Sequence, residues 1–103
     1  MPALRFHKQA RWTVTIRIHL HPEMSYLAGN NDVVVTAGGT VGECIEQLLA
    51  RHPALRELVF YKDGQLQTFI EIYVNRKAAY PDELNRKVAD GDAIHLTITI
   101  AGG

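Results

Sequence analysis

Apolar and polar residues alternate most cleanly near the two ends of this chain, and between them the period changes. In "TVTIRIHL" (13–20), Val14, Ile16, Ile18 and Leu20 alternate with Thr13, Thr15, Arg17 and His19. Period two predicts a strand with one buried face. "HPEMSYLAGNND" (21–32) is rich in turn residues and reads as a loop, and "VVVT" (33–36) as a short second strand. After "AGG" (37–39) the period becomes helical. Val41, Cys44, Ile45, Leu48 and Leu49 make one stripe, Thr40 with Glu43 fits a capping box, and the spacing predicts a helix over 40–53. Pro53 ends that helix or opens a shorter one, with "ALRELVF" (54–60) as one or two further turns. Asp63-Gly64 signals a turn. "LQTFIEIYV" (66–74) predicts a strand, with Ile70, Ile72 and Val74 on one face and Phe69, Glu71 and Tyr73 on the other. "NRK" (75–77) turns, 78–92 crosses irregularly to Asp90-Gly91-Asp92, and "AIHLTITI" (93–100) is the last strand, with Ile94, Leu96, Ile98 and Ile100 inward.

One substantial helix cannot cover both faces of a sheet, and the clean alternation leaves one face wet. The expected fold is α+β, with a mixed sheet packed on one main helix in two layers. Residues 13–103 read as a single domain, and the mixed, basic stretch 1–12 as a loose N-terminal arm.

Composition narrows the function. Lys and Arg number 11, matching the 11 Asp and Glu. This balance argues against a nucleic-acid binder and against a polybasic membrane anchor. No apolar run reaches the length of a membrane helix, and the start lacks a secretory h-region, so a cytoplasmic protein is expected. The single cysteine, Cys44, excludes a disulfide framework and a cysteine zinc site.

The chemistry-bearing feature is the end, "LTITIAGG" (96–103), where a core strand runs into Ala101, Gly102 and Gly103. A Gly-Gly end arises by chance in roughly one chain in 200, but here it follows a strand with no polar tail after it. Glycine has no Cβ, so such an end can thread a narrow channel. A carboxylate is a poor acyl donor until adenylation by ATP gives it a good leaving group. This sequence has no phosphate-binding glycine loop, so another enzyme would supply that step.

In these features the chain resembles the MoaD/ThiS family of ubiquitin-like, β-grasp sulfur carriers. "FIEIYVN" (69–75) resembles the family's third strand and turn, and "VADGDAIHL" (88–96) its last turn and strand. The terminal "AGG" completes the pattern, and "RHPALRE" (51–57) resembles the longer MoaD-type members. The resemblance implies a carrier that is not itself an enzyme and binds no cofactor. A ubiquitin-activating-type enzyme would use ATP to adenylate Gly103. A sulfur donor would convert it to a thiocarboxylate, and an acceptor enzyme would take the sulfur. "IYVN" and the long segment between the second and third strands lean toward members that serve synthesis of cysteine or another thio-metabolite, with a cysteine-synthase-like acceptor. The small subunit of molybdopterin synthase, acting with its large subunit, is the near alternative. A protein modifier joined to lysines shares the chemistry up to the adenylate, and a passive β-grasp interaction module would use none of it. One departure is "TITI" where many family members carry proline ahead of the glycines. A strand continuing to Ile100 leaves three residues beyond it.

The remaining candidates are weaker. Phe69 and Tyr73 form an exposed aromatic pair if their face is wet, a candidate contact for a partner protein. Cover by the 78–92 segment or the arm is the alternative. His19, His21 and His95 bring three imidazoles near one another if the first and last strands are neighbours, but no carboxylate or cysteine joins them. They read as solvated histidines, with no metal site expected. Cys44 reads as a buried structural thiol. Glu43, Glu46, Glu71, Asp82, Glu83, Asp90 and Asp92 read as caps, turns and solvated positions.

Overall fold

The alternation of residues 16–20 is realised as β1 (Ile16–Leu20), in which Ile16, Ile18 and Leu20 are buried and Arg17 is exposed. A computed structural model describes residues 14–99 of the chain. β1 is followed by α1 (Pro22–Leu27), β2 (Val33–Thr36), α2 (Val41–Arg51), a 3-10 turn at Pro53–Leu55 and α3 (Arg56–Val59). Then come β3 (Ile70–Val74), β4 (Lys77–Ala78), a 3-10 turn at Glu83–Asn85 and β5 (Ala93–Ile98). The sheet order is β2-β1-β5-β3-β4. β1 and β5 run parallel at its centre and every other pair is antiparallel, so the sheet is mixed as expected.

α2 packs on one face of this sheet. Val41, Cys44, Ile45, Leu48 and Leu49, the stripe read from the sequence, are all buried, and Ile18, Ile72, Ile94 and Leu96 meet them in the same core. Thr40 caps the helix by accepting from the Glu43 N–H at 3.1 Å. The Glu43 carboxylate returns one residue earlier than a capping box requires, accepting from Gly39 N–H at 2.7 Å. The Asp63-Gly64 turn is closed by Tyr61 N–H donating to Gln65 C=O at 2.7 Å and by a bridge between Phe60 and Leu66.

Three expectations are corrected. The stretch 21–32, read as a loop, contains α1. His21 Nδ1 accepts from Glu23 N–H at 3.1 Å, Pro22 occupies the first helical turn, and Met24 is buried. Six residues are too few to show a helical period, so the turn composition dominated the reading. The strand expected over 66–74 enters the ladder only at Ile70, because 60–66 is used to close the preceding turn. The turn and crossing expected from residue 75 hold a further strand. Asn75 and Arg76 take φ of 50° and 73° and form a two-residue hairpin that returns Lys77–Ala78 onto β3. β5 ends at Ile98, and Ile100 lies outside the described residues.

The turn before β5 ties three strands together. Asp92 accepts from the Asn75 side-chain amide at 2.9 Å and from Ala89 N–H at 2.8 Å. Asn75 Oδ1 in turn accepts from Ala93 N–H at 2.9 Å, and Asp90 accepts from Thr15 N–H at 2.8 Å. The Asn75 amide, the Ala89 N–H and nearby Arg86 hold the Asp92 carboxyl below its ordinary range against a small opposing effect of burial. A depressed folded-state value contributes stability above the ordinary carboxylate pKa, and that stability is lost as pH falls through the folded value. Asp92→Ala is expected to cost about 1 kcal/mol near neutral pH, with solvent screening keeping it small. The gap from the parent should close in acid, as thermal unfolding at the two pH values would show.

Gly42, in the first turn of α2, faces the 83–85 turn so closely that a Cβ would lie 2.9 Å from the Leu84 carbonyl oxygen. Alanine would gain about 1 kcal/mol of helix propensity. Crowding a backbone carbonyl costs roughly 1–3 kcal/mol. Gly42→Ala is therefore expected to lower the unfolding midpoint in denaturant, against the propensity rule.

Candidate functional site

β5 is the strand from which the chain end departs, and it is held on both sides. Ile94 and Leu96 are buried, with β1 paired on one edge and β3 on the other. Thr99 still donates its N–H to Phe69 C=O at 2.7 Å. Ala101, Gly102 and Gly103, the candidate reactive end, lie outside the described residues, as do residues 1–12, expected from sequence to form a loose arm. The described part of the site is thus the anchored base of that end and the two surfaces beside it.

The first surface is the face of the sheet that no described helix covers. The strand registers place Val33, His19, His95, Tyr73 and Ala78 in one row across all five strands. The His19 and His95 rings stack, with centroids 4.3 Å apart and planes 11° from parallel. Burial, then the neighbouring His19 and Arg76, hold His95 below the usual histidine value. His95 Nδ1 is buried and has no hydrogen-bond partner. Tyr73 is half-buried and donates its hydroxyl to Glu71 at 3.1 Å, and that carboxylate pushes the phenol up. Val33 and Val35 are exposed at one end of the face.

The second surface is a groove of about 500 Å³ beside Thr99, lined by His21, Glu23, Leu58, Phe69, Ile98 and Thr68. Phe69 belongs here. It precedes β3 and packs against the core together with Leu58 and Ile98. Phe69 and Tyr73 therefore do not form the exposed aromatic pair expected from their parity. The turn at 68–69 takes Phe69 out of the strand.

The three histidines also separate. His19 and His95 meet, while His21 Nδ1 is engaged in capping α1. Sequence reasoning placed the two imidazoles on adjacent strands but missed the stack, whose only signal was the shared outward parity of residues 19 and 95. Cys44 is fully buried, and burial pushes its thiol up, with Thr36 opposing and Glu43 adding slightly.

This arrangement has known counterparts. The model of the ThiS family matches residues 19–103. Small archaeal modifier protein 1 of Haloferax volcanii is 35% identical over 86 residues, which cover 82% of this chain and 95% of that protein. Its crystal structure superposes with a TM-score of 0.76 at 30% identity, over 86% of this chain and 99% of that one. A chain in the crystal structure of the Amycolatopsis orientalis BexX/CysO complex does so with a TM-score of 0.76 at 26% identity, over 85% and 99%. The fold is the β-grasp of these ubiquitin-like proteins.

Placing the two aromatics on different surfaces separates what their removal should do. Tyr73→Ser trims a half-exposed ring and should leave the melting temperature nearly unchanged. Phe69→Ser removes a ring packed on the core and should cost about 2 kcal/mol or more. Calorimetric melting of the two variants checks this, and equal losses would contradict the assignment.

Proposed function

The chain belongs to the ThiS family of small ubiquitin-like carriers and modifiers, and on that premise we propose that it is a sulfur carrier whose Gly103 carboxylate is the working group. The observation that carries this reading is the junction at Thr99. A central strand, paired with β1 as far as Leu96 and with β3 as far as Ile98, leads through Thr99, whose N–H bonds Phe69 C=O, to Ile100, Ala101, Gly102 and Gly103. Four residues span at most about 14 Å, so the domain delivers a carboxylate at short, fixed reach.

In the proposed cycle, a ubiquitin-activating-type enzyme binds the carrier with ATP. The Gly103 carboxylate attacks the α-phosphorus and pyrophosphate leaves. A hydrosulfide-level sulfur donor attacks the acyl-adenylate, AMP leaves, and the terminus becomes a thiocarboxylate. The sulfur then passes to an acceptor bound at a second enzyme. The carrier contributes no catalytic group and no resident cofactor. Its own part is to present the terminus and to be recognised, through Tyr73 on the open sheet face and Phe69 at the groove beside Thr99. The match to a chain of the BexX/CysO complex supports a thio-metabolite route, with cysteine synthesis as the first to examine.

A second reading has its own support. The relative at 35% identity is named a modifier protein. In that role the same adenylate would be passed on to a lysine amine, and the product would be an isopeptide.

Intact-mass analysis of the protein isolated from its own cells, with fragmentation of the C-terminal peptide, distinguishes these. The expected result is the gain of one oxygen-to-sulfur exchange located at Gly103, appearing also in vitro after ATP, the adenylating enzyme and sulfide. Gly103 found on lysines of other proteins would make the chain a modifier. A carboxylate unchanged after full reconstitution would overturn both. Appending one alanine after Gly103 should abolish activation while leaving the melting temperature unchanged.

A further inference from the structure

If Gly103 enters another protein's active site, that protein comes within about 14 Å of Thr99, because four residues, 100–103, connect the two. β5 carries both Thr99's connection and His95, so the open face lies on the same strand from which the tail extends. This inference rests on the carrier reading above. The face has the anatomy of a contact: Val33, the two stacked imidazoles, Tyr73 and Ala78 across its middle, with Arg17, Glu71 and Arg76 as charged neighbours.

We propose that the stacked His19–His95 pair makes docking of the ubiquitin-activating-type adenylating enzyme on this face proton-sensitive, with one proton on His95 sufficient to open the stack and weaken docking. The geometry supplies the reason. An imidazolium must donate from both ring nitrogens. His95 Nδ1 is out of reach of water and faces no acceptor. In place, the protonated ring would therefore carry an unpaired buried donor, and it would lie 4.3 Å from a second imidazole. Among the described residues, the groups facing it offer no acceptor to that nitrogen. β1 offers His19 and Arg17, and the β3–β4 turn offers Arg76. β3 offers Tyr73, and its Glu71 is already engaged by the Tyr73 hydroxyl. β5 itself offers Ala93 and Thr97 on this face, and β4 offers Ala78. The protonated ring must turn out toward solvent, which breaks the row on which a partner would pack.

The sign follows from linkage. Docking buries the neutral stack more deeply, so the bound form takes up a proton less readily than the free form. Affinity is then constant above the free-state pKa of His95 and falls below it. That window opens below the ordinary histidine value of 6.5. Between about pH 7.5 and pH 5.5 the loss should be measurable but smaller than the roughly tenfold that a histidine at its ordinary value would give.

Two measurements on the full chain test this. The first follows the imidazole resonances by NMR during a pH titration of the parent and of His19→Gln. The His95 midpoint should lie below 6.5 in the parent and rise in the variant. An ordinary midpoint, unmoved by His19→Gln, would overturn the switch and leave the carrier reading intact. The second is calorimetric binding to the ubiquitin-activating-type adenylating enzyme of the same organism at both pH values, for the parent, His95→Gln and His95→Phe. The parent should lose affinity in acid while the variants do not. Phe keeps a stacked ring without a proton site, should Gln prove unstable. Equal pH dependence in all three would overturn the gating while upholding the partner. Absence of binding at every pH would overturn the proposal together with the carrier reading.

Discussion

Two strands that lie side by side and point the same way cannot be joined by a hairpin, and at the centre of this sheet β1 and β5 are such a pair. Everything between them in the chain has to make the return journey. Ile16, Ile18 and Leu20 on one strand and Ile94 and Leu96 on the other are buried together. Each such side chain contributes roughly 1.5–3 kcal/mol of gross burial energy, so neither strand can leave without the core. The consequence for function is positional. The last strand of the chain is not an edge strand that can peel away but a central one with partners on both sides. Whatever follows Thr99 continues from a strand paired with β1 as far as Leu96 and with β3 as far as Ile98.

The same pairing decides which surface is left open. Among the described residues α2 is the one helix long enough to cover a sheet face, and its apolar stripe is spent on Ile18, Ile72, Ile94 and Leu96. The other face keeps the alternate residues of every strand. A one-residue slip between β1 and β5 would move His19 off His95 and place an apolar side chain in water. The stack is therefore fixed by the core on the opposite side of the sheet. It lies over buried backbone with His95 Nδ1 shut away from water, which is why a ring on a wet face behaves as a partly buried one.

Much of this was legible in the residues, and the parts that were not share a cause. β1, β2, α2 and the buried face of β5 follow from periodicity because each has one wet side and enough residues to show it. α1 was hidden because six residues headed by Pro22 and followed by Gly29 and Asn30 read as turn chemistry, while its stability comes from Met24 in the core and Ser25 Oγ donating to Asp32 at 2.9 Å. β4 was hidden because two residues carry no period, and its signal was the Asn75 position, which tolerates positive φ. Phe69 was assigned by parity to the open face, but parity holds only inside a strand, and the strand begins one residue later. Register between strands distant in sequence is a tertiary property, so the contact of His19 with His95 was visible only as a possibility.

Cys44 bears on where sulfur chemistry can reside. It is the chain's one thiol. Its side chain is fully buried beside Thr36 under α2, and burial raises its pKa, so the reactive thiolate is disfavoured and no reagent reaches it. Gly38 closes the same corner, where even a Cβ would stand 3.2 Å from the Cys44 sulfur. A sulfur carrier built on this fold therefore cannot hold its cargo as a persulfide on its own cysteine without opening the core. The proposed carrier cycle places the sulfur instead on the Gly103 carboxylate. It needs no ionisable side chain from the domain, only a base that stays folded while another protein works on the end. The central placement of β5 provides that base, and the inert thiol and the anchored strand point to the same division of labour.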